Sequence, residues 1–86
     1  MNNKRSKFMK NTIQQKIKLN LKNYDGAIAF IQITNNFSDL NFDVQQNHTF
    51  IDGKSLLGIL SLDLSKNIIV FVDKEFDSEN FKQFKV

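Results

Sequence analysis

The chain contains no cysteine, no proline and no tryptophan, with three glycines, one histidine and one tyrosine among its 86 residues. Without cysteine there is no disulfide framework and no thiolate metal site, which suits a reducing cytoplasm. No Ser/His/Asp set and no metal-ligand spacing can be assembled from the remaining residues. Gly26, Gly53 and Gly58 stand too far apart to form a nucleotide-phosphate loop. No apolar run approaches the roughly 18–20 residues that span a bilayer. The N-terminus, MNNKRSKFMK, is basic but lacks the continuous apolar core of a secretory signal. These absences predict a cytoplasmic protein with no membrane insertion, no metal and no small-molecule cofactor.

Apolar residues make up 41% of the chain, enough for a globular fold rather than disorder. The length fits one small domain near the lower limit for a single core. Nine phenylalanines supply most of the large apolar surface, each worth roughly 2–3 kcal/mol when fully buried. The net charge of +3 is modest, and Lys4, Arg5, Lys7 and Lys10 carry much of it. Residues 1–12 read as a basic N-terminal extension and residues 13–86 as the domain. The extension could meet nucleic acid or a membrane surface by charge. Composition favours a solvated tail instead, and nucleic acid is not an expected partner.

Within the domain, Lys16–Leu21 (KIKLNL) alternates strictly, placing Ile17, Leu19 and Leu21 on one side of a half-buried strand. Lys22–Gly26 is a turn by its Asn, Asp and Gly. Ala27–Phe37 is ambiguous: its β-branched residues favour a strand, yet Ala27, Phe30, Ile31, Thr34 and Phe37 follow a helical stripe. Leu40, Phe42 and Val44 alternate again, and Asn47-His48 forms a tight turn leading to a short strand at Phe50 and Ile51. Ser55–Leu64 reads as a helix with Leu56, Ile59 and Leu60 along one side. Asn67–Val72 (NIIVFV) is a central strand. Asp77–Lys85 is a short amphipathic helix on Phe81 and Phe84, capped by Asp77 or Ser78.

The most specific stretch is Gly53–Leu64, GKSLLGILSLDL. It joins a serine to a helix start, where a hydroxyl accepts a bond from unpaired backbone N–H groups. A phosphate on that serine would meet the same donors and the positive end of the helix dipole. Lys54, Ser55, Leu56, Leu57, Gly58, Ile59, Leu60, Ser61 and Leu62 resemble, in order and without a gap, the second helix of HPr. HPr is the phosphocarrier of the bacterial sugar phosphotransferase system. The resemblance reaches from about Lys16 to Val86, but only Lys54–Leu62 is specific; elsewhere the support is positional.

The resemblance implies an α+β fold, the HPr-like open-faced β-sandwich. Its order is β-α-β-β-α-β-α, with a four-stranded antiparallel sheet covered on one face by helices. It also resolves Ala27–Phe37 as the first helix. In HPr the loop before that helix carries Gly-x-His-Ala-Arg-Pro-Ala, whose histidine takes and passes on phosphate while the arginine and helix N-terminus hold its oxygens. This chain has Asn23, Tyr24, Asp25, Gly26 and Ala27 there, with no histidine, arginine or proline. Asparagine forms no useful phosphoramidate, and Asp25 repels an incoming phosphate. The loop is thus a degenerate version of the family's active site.

The remaining candidate residues have ordinary roles as well. His48, the one histidine, lies in a turn far along the chain from the first helix and reads as solvent-exposed. Asp25 lacks the acidic metal-binding cluster that aspartyl phosphorylation requires. Ser55 has two readings: a helix cap worth ~1 kcal/mol, or the regulatory serine that HPr kinase modifies in the family. Leu57 and Leu60 match an apolar docking patch, or alternatively pack into the core. Lys54, Leu56, Leu57, Gly58 and Leu60 are the expected partner-binding residues.

The resemblance therefore implies a non-catalytic regulatory or protein-binding module acting through the Ser55 helix. Its partners would be phosphotransferase system proteins, an HPr kinase or a transcription regulator. One alternative is a diverged phosphocarrier of the sugar phosphotransferase system with a non-standard phosphoacceptor. Another is an interaction protein that uses its basic extension.

Overall fold

A computed structural model describes residues 13–86; the basic extension lies outside the described residues. Four strands form one antiparallel sheet: β1 (Gln14–Leu19), β2 (Asp43–Gln46), β3 (Thr49–Asp52) and β4 (Ile68–Asp73). Two helices, α1 (Tyr24–Thr34) and α2 (Leu56–Leu60), and a C-terminal 3₁₀ segment (Ser78–Phe84) complete the chain. The sheet order is β1-β4-β2-β3. The expected element order and open-faced architecture are both present.

Period-two alternation decides which strand residues are buried. Ile17 and Leu19 of β1, Val44 of β2, and Ile68, Val70 and Val72 of β4 are buried. The neighbouring positions form the opposite, open face of the sheet. Ala27 and Phe30 of α1, Ile59 of α2, and Phe81 and Phe84 are buried in the same core. Phe30, Phe37, Phe42, Phe76, Phe81 and Phe84 form a connected aromatic cluster, with Phe30 stacked on Phe81 at 5.1 Å and Phe76 against Phe81 at 5.0 Å. Ring edges meeting ring faces add to the burial of such a cluster.

Boundaries differ from the sequence expectation for local reasons. The first strand was expected at Lys16–Leu21 but runs Gln14–Leu19. Asn20 N–H turns to the Phe84 carbonyl at 2.8 Å, and Lys22 takes left-handed backbone at φ 73°. Leu21 is still buried, without belonging to the strand. The first helix starts at Tyr24, three residues before the expected Ala27, because Asn23 caps it: its side-chain oxygen accepts the Gly26 N–H.

Leu40 and Phe42 precede β2 instead of lying in it. Leu40 N–H closes a turn onto the Phe37 carbonyl, and the Phe42 carbonyl accepts from Gly53 N–H. The two-residue turn Asn47-His48 is as expected, with Asn47 in the left-handed region at φ 55°. The C-terminal segment is 3₁₀ instead of α, capped by Asp77 and broken at Phe81 (φ −105°, ψ 16°).

Candidate functional site

The helix read as Ser55–Leu64 is shorter in the structure: α2 spans Leu56–Leu60, between Ser55 as N-cap and Ser61 as C-cap. Ser61 ends it because its hydroxyl donates to the Gly58 carbonyl at 2.6 Å, a local bond that competes with helix continuation. At the other end Ser55 has extended backbone, and its Oγ accepts the Gly58 N–H at 3.1 Å. Ser55 is half-buried. The cap reading of Ser55 is therefore realised in the geometry.

Contacts distant in sequence fix both ends of this segment. Thr34, fully buried at the end of α1, donates its hydroxyl to the Gly53 carbonyl at 2.9 Å. Lys54 Nζ donates to the Phe37 carbonyl at 2.6 Å, and Lys54 N–H donates to Asp52 Oδ1 at 2.9 Å. Beyond the helix, Gln46 and Asp63 exchange two bonds of 2.9 Å, the Gln46 amide to the Asp63 carbonyl and the Asp63 N–H back to Gln46 Oε1. Asp63 Oδ1 also accepts from the hydroxyl of Ser65 at 2.7 Å and from its N–H at 3.1 Å. These Ser65 bonds, with a smaller contribution from Lys66, hold the Asp63 carboxyl below its ordinary pKa.

Pinned in this way, α2 exposes Leu57 at 81% while Ile59 is fully buried. Leu56, Leu60, Leu62 and Leu64 are half-buried. The two readings of the leucines separate here: Leu57 faces solvent, whereas Leu60 packs partly on the core. The Lys54 ammonium is directed to a backbone carbonyl, so its side chain is partly used in holding the fold.

The loop entering α1 is a separate place. Asn23, Tyr24 and Asp25 are exposed, and Tyr24 is 57% accessible. The Asn23 carboxamide is occupied by its cap bond to Gly26. Gly26 is needed for close approach, since a Cβ there would lie 1.8 Å from the Leu21 carbonyl oxygen. Thr34 and Lys54 place Ser55 beside the end of α1, while Asn23 stands at its start. A helix of 11 residues separates them by about 16 Å along its axis. The structure does not bring the two candidate regions together.

Two solved structures share the fold. The chain superposes on the phosphocarrier protein HPr from Bacillus anthracis str. Ames with a TM-score of 0.58 at 20% identity, covering 83% of this chain and 89% of that one. It superposes on HPr-C-His from Thermoanaerobacter tengcongensis with a TM-score of 0.56 at 25% identity, covering 79% and 83%. The fold is HPr-like. By sequence alone, no family model and no curated protein matches.

Placed on the HPr-like fold, His48 lies exposed in the β2–β3 turn, on a different element from the start of α1. No group of three or more His, Cys, Asp or Glu residues able to hold a metal ion occurs among the described residues. No helix among them is long and apolar enough to cross a membrane. Nothing in the local sequence marks Thr34, Gln46 and Asp63 as supports of the Ser55 segment. Their bonds span 17 to 19 residues, and no local pattern announces such pairs.

Proposed function

We propose that this HPr-like protein is a non-catalytic regulatory module that docks a partner protein through the Ser55 helix. The observation that carries the reading is Leu57, 81% exposed on a helix that is capped and held at both ends. A large exposed apolar side chain on a rigid support fits a partner surface, and half-buried Leu56 and Leu60 beside it extend the apolar contact. The start of α1 supports the same reading: Asn23 caps the helix there, and neither histidine nor arginine is near it in sequence. The expected partners are cytoplasmic: a phosphotransferase system protein, an HPr kinase or a transcription regulator, with Ser55 as the regulatory phosphorylation site.

The test is a pair of phosphorylation reactions on the purified protein, with mass spectrometry to locate any phosphate. One contains enzyme I and phosphoenolpyruvate, the other HPr kinase and ATP. Phosphate on Ser55 from the kinase and none from enzyme I is the expected result. Acid-labile phosphate from enzyme I would overturn the non-catalytic reading. Leu57→Asp adds a second check: at so exposed a position stability should change by less than about 0.5 kcal/mol, while partner capture is lost. Capture indifferent to Leu57→Asp would move the docking surface elsewhere.

A further inference from the structure

The helices cover one face of the sheet, and the other is open. Strand register places its side chains in rows. One row runs Lys18, Ile69, Gln45, Phe50; the next runs Lys16, Phe71, Asp43, Asp52. Phe50 is 64% exposed, Ile69 and Phe71 are half-buried, and Lys16, Lys18 and Asp52 are exposed. Lys16 Nζ lies 5.7 Å from the centre of the Phe71 ring, which fixes its side chain over this face. A shallow depression of about 470 Å³ runs beside Phe50 and Phe71. The face therefore has a basic edge on β1 (Lys16, Lys18), an apolar strip on β4 (Ile69, Phe71) and an acidic side on β2 and β3, where exposed Asp43 and Asp52 stand opposite each other beside Phe50.

We infer that the open face is the docking surface for a second copy of this chain, packed face to face about a two-fold axis parallel to the strands. The argument is charge complementarity worked from the register. Such an axis lays β1 of one copy over β3 of the other, because these strands are the two edges of the sheet. Lys16 then meets Asp52 of the second copy and Lys18 meets Phe50, an ion pair and a cation–π contact, while Asp43 comes over Phe71 of the second copy and the Lys16 ammonium held above that ring. Two-fold symmetry makes each contact twice. The other in-plane axis, across the strands, would set β1 over β1 and lysine against lysine. The charges on the face thus favour the first arrangement over the second.

The size of the face sets the strength. Four strands of four to six residues present roughly 15 by 20 Å, or about 300 Å² per copy in projection. A standard interface uses about 800 Å² per partner. The dimer is thus weak, in the class of small, transient interfaces. It leaves Leu57 on the covered side of the sheet accessible, so it is independent of docking through the Ser55 helix.

The test is sedimentation equilibrium of the full chain from about 10 μM to about 1 mM at low salt. Wild type should shift from monomer to dimer across this range. Lys16→Asp or Asp52→Lys alone should weaken association about tenfold, and the double variant Lys16→Asp with Asp52→Lys should restore it. Circular dichroism checks that each variant keeps its sheet; the substituted side chains are exposed. A chain that stays monomeric at about 1 mM overturns the inference. So does association that ignores the single reversals, or a double variant that fails to recover, either of which would assign the face to another occupant.

Discussion

Ser55 can be taken apart into its structural and regulatory roles by two substitutions. Ser55→Ala removes the oxygen that accepts Gly58 N–H at 3.1 Å, leaving that donor without its cap. Such losses cost about 1 kcal/mol, within a range of about 0.5–2. For a domain of this length the melting temperature should fall by roughly 4–8 °C per kcal/mol. Ser55→Asp keeps an acceptor at the cap and places a negative charge at the helix start, favourable by about 0.3–1 kcal/mol. Exposed Asp52, three residues earlier, opposes part of that gain. The Asp variant should therefore lie within about 0.5 kcal/mol of wild type. Urea titration followed by circular dichroism measures the stabilities, and hydrogen exchange of the Gly58 amide reports the cap itself. An Ala variant as stable as wild type, with an unchanged Gly58 exchange rate, refutes the reasoning. If stabilities run as expected, any difference in partner capture between Ser55→Asp and wild type measures the regulatory charge apart from folding.

Thr34→Val should destabilise the fold by about 1–2 kcal/mol, because the buried Gly53 carbonyl loses its hydroxyl donor while one extra methyl is buried; thermal unfolding checks this, and an unchanged melting temperature would contradict it. Gly26→Ala should cost about 2 kcal/mol or more, since its Cβ meets the Leu21 carbonyl oxygen at 1.8 Å and backbone must move. Gly58→Ala, whose Cβ meets Ser55 Oγ at 3.3 Å, should be far milder because alanine recovers helix propensity. The Asp63 carboxyl is held low chiefly by the Ser65 hydroxyl, so its contribution to stability is present above the unfolded aspartate pKa and disappears as pH falls through the folded value. Ser65→Ala should move the Asp63 titration, followed by carboxyl NMR, up towards the ordinary range; a titration that stays put would mean the hydroxyl is not the cause.

Much of the fold was legible because burial imposes periods. Ile17 and Leu19, Val44, and Ile68, Val70 and Val72 alternate in sequence and are buried in the structure. The stripe Ala27, Phe30, Thr34 is likewise the buried face of α1. Element ends were less legible, because side-chain and long-range bonds set them. Asn23 moves the start of α1, the Asn20 bond to Phe84 ends β1, and the Ser61 hydroxyl stops α2. The sequence motif marked Ser55 as a cap, and the structure shows that cap. Helical spacing set Leu60 with Leu56 and Ile59 and left Leu57 off that side, but how far each is exposed depends on how α2 is anchored by Thr34 and Gln46 from elsewhere in the chain.

That anchoring bears on how the two ends of an HPr-like fold could serve different purposes. The bonds that position α2 come from Thr34, Lys54, Gln46 and Asp63, and none involves Asn23–Gly26. Replacing exposed Tyr24 or Asp25 at the start of α1 should therefore leave the Ser55 helix in place. Asparagine is among the best N-caps, so Asn23 stabilises the start of α1. A side chain committed to the Gly26 N–H serves the helix behind it. The carboxamide that makes the loop a good helix start is thereby spent on the backbone, while the Ser55 helix keeps its own independent support.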